Sequence, residues 1–314
     1  MPSSSTTRSS ASAPPPGDYA AARAGRAHRE RSGAIAIEGE DRIAFLQGQL
    51  TQDVRGLSPG ESRLAAGLSP KGKLLYFGRL VGEAGRVLLL VPSAAVPDVV
   101  AHLGKYAALQ KAAVRDASAE YVRIALYGPE AGGIPVPGGA TRLPPEWEHA
   151  GEILAPRSLR PAVLESLAGA GSREVSEATA DILRVEAGRP RLLQDATGDN
   201  LAEEIGLQSA ISSTKGCYVG QEIVARMRTY GRMNRRLAGF RFPAGPVPAG
   251  TVFPDPAKPA LELARVTSSV VSPRLGPIGL GLAFREVADG AALSLPGRPE
   301  PSAASAIVCA LPFA

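Results

Sequence analysis

The apolar residues of this 314-residue chain come in short bursts, and glycine or proline cuts most of them off. The run Val87 to Val91 stops at Pro92. A membrane span needs about 18 or more uninterrupted apolar residues, so none is expected here. Bursts this short suit single strands or one face of a helix, and the core must be assembled from many small elements. The chain is long enough for about two domains at roughly 150 residues each. With 44% apolar and 21% charged residues, most of it is expected to fold without disulfide or metal staples.

Met1 to Gly17 is rich in Ser and Thr and ends in Pro14-Pro15-Pro16-Gly17, so residues 1–17 are expected to be a disordered tail. The segment has no apolar signal region and carries only Arg8, a weak match to a transit peptide. Order is expected from Gly33: a strand at Ala34 to Ile37, then a helix capped by Asp41 that runs through Ile43, Phe45, Leu46 and Leu50. Leu64 to Gly67 and Leu74 to Leu80 flank Ser69-Pro70-Lys71-Gly72 as a hairpin. Val87 to Val91 and Tyr121 to Tyr127 read as strands. A helix from Pro97 uses Val99, Val100, Leu103, Ala107 and Leu109, and Gly132 to Pro145 reads as loop. Asp181 to Ala187 reads as helix ended by Gly188. After Arg241 prolines recur at 243, 246, 248, 254, 256 and 259 and the strand-like pieces Val266 to Val271, Ile278 to Phe284 and Ile307 to Leu311 follow, the pattern of a small all-β unit beginning near residue 240.

Two cysteines, Cys217 and Cys309, form no CxxC pair, and His28, His102 and His149 share no ligand spacing. Disulfide frameworks and Cys- or His-built metal centres are therefore disfavoured. The net charge is +5, but only six of the 35 basic residues are lysine. An excess this small indicates solubility, not a particular polyanion. Gly67, Gly72 and Lys73 approach a phosphate-binding loop, yet Leu74 offers no hydroxyl, Pro70 removes a donor, and the context is strand–turn–strand. A basic hairpin tip explains it better. The expected location is cytosolic.

The densest chemistry lies in Lys215-Gly216-Cys217-Tyr218-Val219-Gly220-Gln221-Glu222. Gly216 and Gly220 open backbone space around a thiol, and Gln221 to Met227 reads as a short helix with Glu222 in its first turn. Cys217 just outside that helix, near Lys215 and Arg226, sits where cations and a helix dipole favour thiolate. A thiolate ligates soft metals, attacks electrophiles or is oxidised. A small buried hydrophobe is the other reading, and local spacing leaves both open. Arg226, Arg228, Arg232, Arg235 and Arg236 follow with no acid between them. They suit a phosphate, a polyglutamate tail or an RNA backbone, or a solvated face. Cys309 reads as strand packing.

The octapeptide resembles the K-G-C-[FY]-x-G-Q-E signature of the YgfZ family, folate-binding relatives of the glycine-cleavage T-protein that support iron–sulfur enzymes. Three further segments agree with that family: Phe45-Leu46-Gln47-Gly48-Gln49-Leu50-Thr51-Gln52-Asp53-Val54, Ser69-Pro70-Lys71-Gly72-Lys73, and Arg184-Val185-Glu186-Ala187-Gly188-Arg189-Pro190. The stretch Val266 to Leu280 resembles the terminal barrel of the T-protein superfamily. The resemblance covers the chain from about residue 31 to the end. It implies an α+β, T-protein-like (aminomethyltransferase folate-binding) fold at 18–240 around a central opening for tetrahydrofolate or a derivative. A C-terminal small β-barrel at 241–314 completes it.

The resemblance also implies roles. Cys217 is the reactive thiol or transient ligand, tuned by Lys215 and Arg226. Gly216, Tyr218, Gly220, Gln221 and Glu222 belong to the cofactor-binding set, with Gln221 and Glu222 ordering the loop, and Glu186 is the hydrogen-bonding partner of the pterin. No resident metal is implied. The implied function is a folate-binding accessory factor for iron–sulfur cluster assembly or repair. Its partners are iron–sulfur client or assembly proteins, it supports tRNA modification indirectly, and direct nucleic-acid contact at Arg226–Arg236 is the lesser reading. The alternative is a folate-dependent one-carbon transferase. Against it, the positions where the aminomethyltransferase carries its acidic pair fall near Tyr76 and Phe77, which cannot accept a proton as a carboxylate does. The family's folate-stacking aromatics have Ser32, Arg189 and Arg191 in their neighbourhoods.

Overall fold

A computed structural model describes residue 15 and residues 17–145, 150–229, 231, 233–295 and 305–313. The expected tail at 1–17 lies almost wholly outside the described residues. Order begins earlier than Gly33. Helix α1 (Asp18–Ala24) and strand β1 (Ala27–Arg31) precede β2 (Ala34–Glu38) and α2 (Arg42–Gln49). Strands β3 (Ser62–Leu68), β4 (Leu74–Glu83) and β5 (Arg86–Leu90) follow, then α3 (Val96–Ala107), β6 (Ala113–Asp116) and β7 (Tyr121–Tyr127). Next come β8 (Thr141–Leu143), β9 (Gly151–Pro156), α4 (Arg160–Gly169), β10 (Arg173–Glu174), α5 (Glu177–Glu186) and α6 (Gln221–Thr229). The remaining strands are β11 (Arg235–Arg241), β12 (Val252–Pro254), β13 (Glu262–Ser272), β14 (Gly276–Phe284), β15 (Ala292–Leu293) and β16 (Ala306–Cys309). No helix among the described residues is long and apolar enough to cross a membrane.

These strands form three sheets in the orders β10-β1-β7-β9-β8, β3-β4-β5-β2-β6 and β12-β13-β14-β11-β16-β15. All pairings are antiparallel except β1 with β10. The second sheet packs α2 and α3 onto one face, burying Phe45, Leu46, Leu50, Val99 and Leu103. The third is a six-stranded, barrel-like sheet. Alternating burial along β13 turns one face inward, and Phe240, Phe242 and Phe253 stack at its centre with centroids 6.4 Å apart.

Several local expectations change. Leu109 is exposed, because α3 ends at Ala107 and the chain turns away. Asp41 precedes α2, but its carboxylate accepts from the Lys111 amide at 3.0 Å instead of capping the helix. The Gly132–Pro145 stretch contains edge strand β8, whose Leu143 is buried between sheets. The composition change near residue 240 falls inside β11, a strand paired to both β14 and β16. The C-terminal sheet therefore begins at Arg235, because prolines mark its loops and not its first strand.

Candidate functional site

Three stretches distant in sequence converge on Cys217. The first is the end of α2 with the turn after it. Lys215 is buried, and its Nζ donates to the carbonyls of Gln47 at 2.8 Å and Gln52 at 3.0 Å, and to that of Leu50. A helix C-terminus leaves such carbonyls without partners, and a cation also suits the negative end of its dipole. The same ammonium lies 5.1 Å from the Tyr218 ring centroid, a cation–π contact. Val219 donates its amide to Gly48 O at 3.1 Å, and Ser212 donates its amide to Thr51 O at 3.0 Å. The second stretch is the tip of the β3–β4 hairpin. Its Gly72 has φ 70°, and a Cβ there would lie 2.7 Å from Ile223 of α6. The third is the loop 215–220 itself, where Gly220 has φ 83° and a Cβ would come within 2.6 Å of Ser69 O. Only glycine meets both demands without strain.

This geometry sorts the expected residues. Cys217 is exposed, whereas Cys309 on β16 is half-buried with its Sγ donating to Ile307 O at 3.4 Å. Burial lowers Lys215 to about 8, opposed by the charge of Asp53. An ammonium has three hydrogens, and three carbonyls take them, which leaves none for the thiol. Lys215 is thus a strut between the loop and α2. Gln221 Oε1 accepts from the Tyr218 amide at 3.2 Å and fixes the entry to α6. Tyr218 is half-buried against the main core, and burial raises its phenol. Glu222 and Arg226 are exposed on α6. A Cβ at Gly216 would meet nothing within 4 Å, so close approach explains Gly220 and not Gly216.

A cavity of about 700 Å³ opens elsewhere, between the first two sheets and α5. Leu64, Phe77, Leu192 and Leu193 give it apolar wall, and seven arginines against three glutamates line it. Each glutamate is ion-paired: Glu30 with Arg160 at 2.7 Å, Glu152 with Arg123 at 2.7 Å, and Glu177 with Arg29 at 2.7 Å. The hydrogen bond from Arg160 holds the Glu30 carboxyl below its usual range. Basic side chains therefore outnumber acidic ones in the cavity wall, and each acid there is already paired with an arginine. None of residues 215–222 lines it, and neither does Glu186. The β3–β4 hairpin joins the two places: Leu64 and Phe77 face the cavity, and its tip holds the thiol loop. Phe77 lies five positions beyond Gly72, about 16 Å of extended chain at 3.3 Å per residue.

Glu186, which the resemblance makes a hydrogen-bonding partner of the pterin, turns toward the C-terminal sheet and does not line this cavity. Its Oε1 accepts from Tyr19 Oη at 2.6 Å and Ser272 Oγ at 2.5 Å, with Arg23 3.6 Å from Oε2. It knits α1, α5 and β13 together. The basic run after Cys217 is also changed by the fold. Arg228 meets Glu203 at 3.5 Å, Arg235 meets Glu204 at 3.4 Å and Arg236 meets Asp289 at 2.6 Å. Arg232 lies outside the described residues. Acids distant in sequence thus pair with three of the five arginines in a cluster that looks unopposed in the linear chain. Tyr76 is buried, and Phe77 faces the cavity where an acid was sought. Ser32 and Arg191 also line the cavity. Arg29, Arg123, Leu193 and Asp195 were not singled out from sequence. Arg123 alone leaves a trace there, as a charge inside the otherwise uncharged run Tyr121 to Tyr127.

This arrangement of two sheet-bearing units, a central cavity and a terminal barrel-like sheet is the fold of a solved enzyme. The chain is similar to the crystal structure of glycine cleavage system aminomethyltransferase T from Bartonella henselae, with a TM-score of 0.78 over 95% of this chain and 88% of that one, at 23% identity. The class is thus a protein of T-protein fold with a thiol loop at a hairpin tip. No family model matches the sequence. The chain is 30% identical over 223 residues to the tRNA-modifying protein YgfZ of Colwellia psychrerythraea, covering 65% of this chain and 68% of that protein. It is 30% identical over 216 residues to the tRNA-modifying protein YgfZ of Vibrio atlanticus, covering 65% of each. It belongs to the YgfZ family. The matched region spans about two thirds of those relatives' own length.

Proposed function

We propose that this chain is a folate-binding accessory protein for iron–sulfur cluster assembly or repair in the cytosol, acting through Cys217 and supporting tRNA modification indirectly. The observation that carries the reading is the exposed thiol on a locked loop. Lys215, Gly220 and Gln221 fix the backbone on either side of Cys217, so the sulfur is presented to a partner at little ordering cost. A presented thiol ligates a soft metal such as cluster iron, or takes up and releases a sulfur-bound group. The relatives named as tRNA-modifying proteins support the downstream role, since tRNA modification draws on iron–sulfur enzymes.

The cavity residues suit tetrahydrofolate. Phe77, Leu64 and Leu192 offer apolar contact to a flat ring, and the arginine excess suits the carboxylates of a glutamate tail. Its volume lies within the ordinary range for small-molecule sites. Tetrahydrofolate supplies a one-carbon carrier, while the chain's part is to hold it and to exclude water. The transferase reading needs a carboxylate free to exchange a proton, and each cavity glutamate is already engaged by arginine. The test is a deletion strain complemented by the wild-type chain or by Cys217→Ala. Recovery of iron–sulfur enzyme activity with the wild type alone supports the reading. Equal recovery with both removes the thiol from the mechanism.

A further inference from the structure

Leu193 is the one non-glycine residue with a left-handed backbone among the described residues, at φ 70°. Leucine enters that region only at a cost, which asparagine and glycine largely avoid. The fold covers that side chain only in part, since it is 53% exposed while its neighbour Leu192 is buried. Both leucines line the cavity. An apolar side chain left half uncovered, on a backbone that opposes its presence, is unfavourable on both counts.

The surrounding turn leaves Leu193 no alternative. The Arg191 carbonyl accepts from the amides of Gln194, Asp195 and Ala196 at 2.9–3.2 Å, and the Leu193 amide donates to Ala196 O at 2.9 Å. Beneath it Asp195 is fully buried. Its Oδ2 accepts from Arg184 Nη1 at 2.7 Å and the Arg191 amide at 2.8 Å, and its Oδ1 accepts from Ser268 Oγ at 2.7 Å and from Thr267 Oγ1. Gln194 Nε2 donates to the same Ser268 Oγ at 2.9 Å. Helix α5 and strand β13 therefore hold the turn from below through a buried ion pair, with Leu193 at its crest. Strain that the surroundings over-determine in this way gathers at ligand contacts.

We infer that Leu193 is an apolar ligand contact of this cavity, presented by the Arg184–Asp195 platform so that a bound ring covers it. The inference rests on the folate reading and adds to it a residue that sets affinity by apolar contact. It is tested by calorimetric titration of the full chain and three variants with 5-formyltetrahydrofolate, an air-stable folate, alongside thermal denaturation of each. Leu193→Asn and Leu193→Gly keep the left-handed backbone and remove the apolar surface. They should bind about tenfold more weakly, the worth of covering half a leucine, with a melting temperature unchanged or raised. Leu193→Met keeps an apolar side chain and should bind within about twofold of the wild type. If the wild type binds and all three variants match it, Leu193 is no ligand contact, and the folate reading stands without it. A lowered melting temperature with undiminished affinity overturns the inference in the same way, since it gives Leu193 a structural role. If the wild type does not bind, the folate reading fails and takes this inference with it.

Discussion

Lys215 and the two glycines beside Cys217 carry separable predictions. Lys215→Met removes the donor to three carbonyls at the end of α2, and leaving carbonyls unpaired should cost about 1–3 kcal/mol, read by urea denaturation. The lysine also gives the wild type a pH dependence. Its folded-state proton affinity is lowered to about 8 by burial, so from there up to the ordinary lysine range the unfolded chain binds the extra proton. Stability from this group therefore rises as pH rises through that window, and the rise should vanish in Lys215→Met. Gly220→Ala forces a Cβ against Ser69 O at a positive φ and should destabilise by about 1–3 kcal/mol. Gly216→Ala meets open space and should fall within about 0.5 kcal/mol of the wild type. Both glycines stand in the motif as equals, and only the backbone angle and the approaching hairpin tell them apart.

Helix α5 works in two directions. Its Arg184 supports the turn beside the cavity, while Glu186 two residues later faces the barrel-like sheet and α1. Glu186→Ala leaves the hydroxyls of Tyr19 and Ser272 without their acceptor, at a cost of about 2–4 kcal/mol. It should leave the affinity for 5-formyltetrahydrofolate unchanged. Thermal denaturation and calorimetry on one variant check both halves. The helix itself was legible from Ile182, Leu183 and Val185, but the direction of Glu186 was not, because its partners lie 167 and 86 residues away. The same reason hid the neutralised arginines, whose acids come from 203–204 and 289. Elements with a clear local signal, such as the helical spacing of α3 and the unbroken, nearly uncharged run of β7, were readable. Strand β8 and the strand character of β11 were not, since each depends on a neighbour that a local pattern does not contain.

Across the molecule, α5 sews the α+β region to the C-terminal sheet through Arg184 to Ser268 and Glu186 to Ser272, and the Leu237 amide donates to Glu204 O. The chain should therefore unfold in one cooperative calorimetric transition, and two resolved transitions would show the sheet to be an independent unit. The class of fold could be read in advance because its motifs sit at turns, where backbone demands restrict the residue. The residues that line its cavity could not, because they are gathered from β1, β4, β7, β9 and α5. The convergence on Cys217 bears on how the protein is made. Every strand of the sheet that receives the thiol loop lies between residues 34 and 116. A ribosome delivers that seat in full before residue 215 leaves the exit tunnel. The sulfur thus emerges only after every strand of the sheet it docks on has been synthesised.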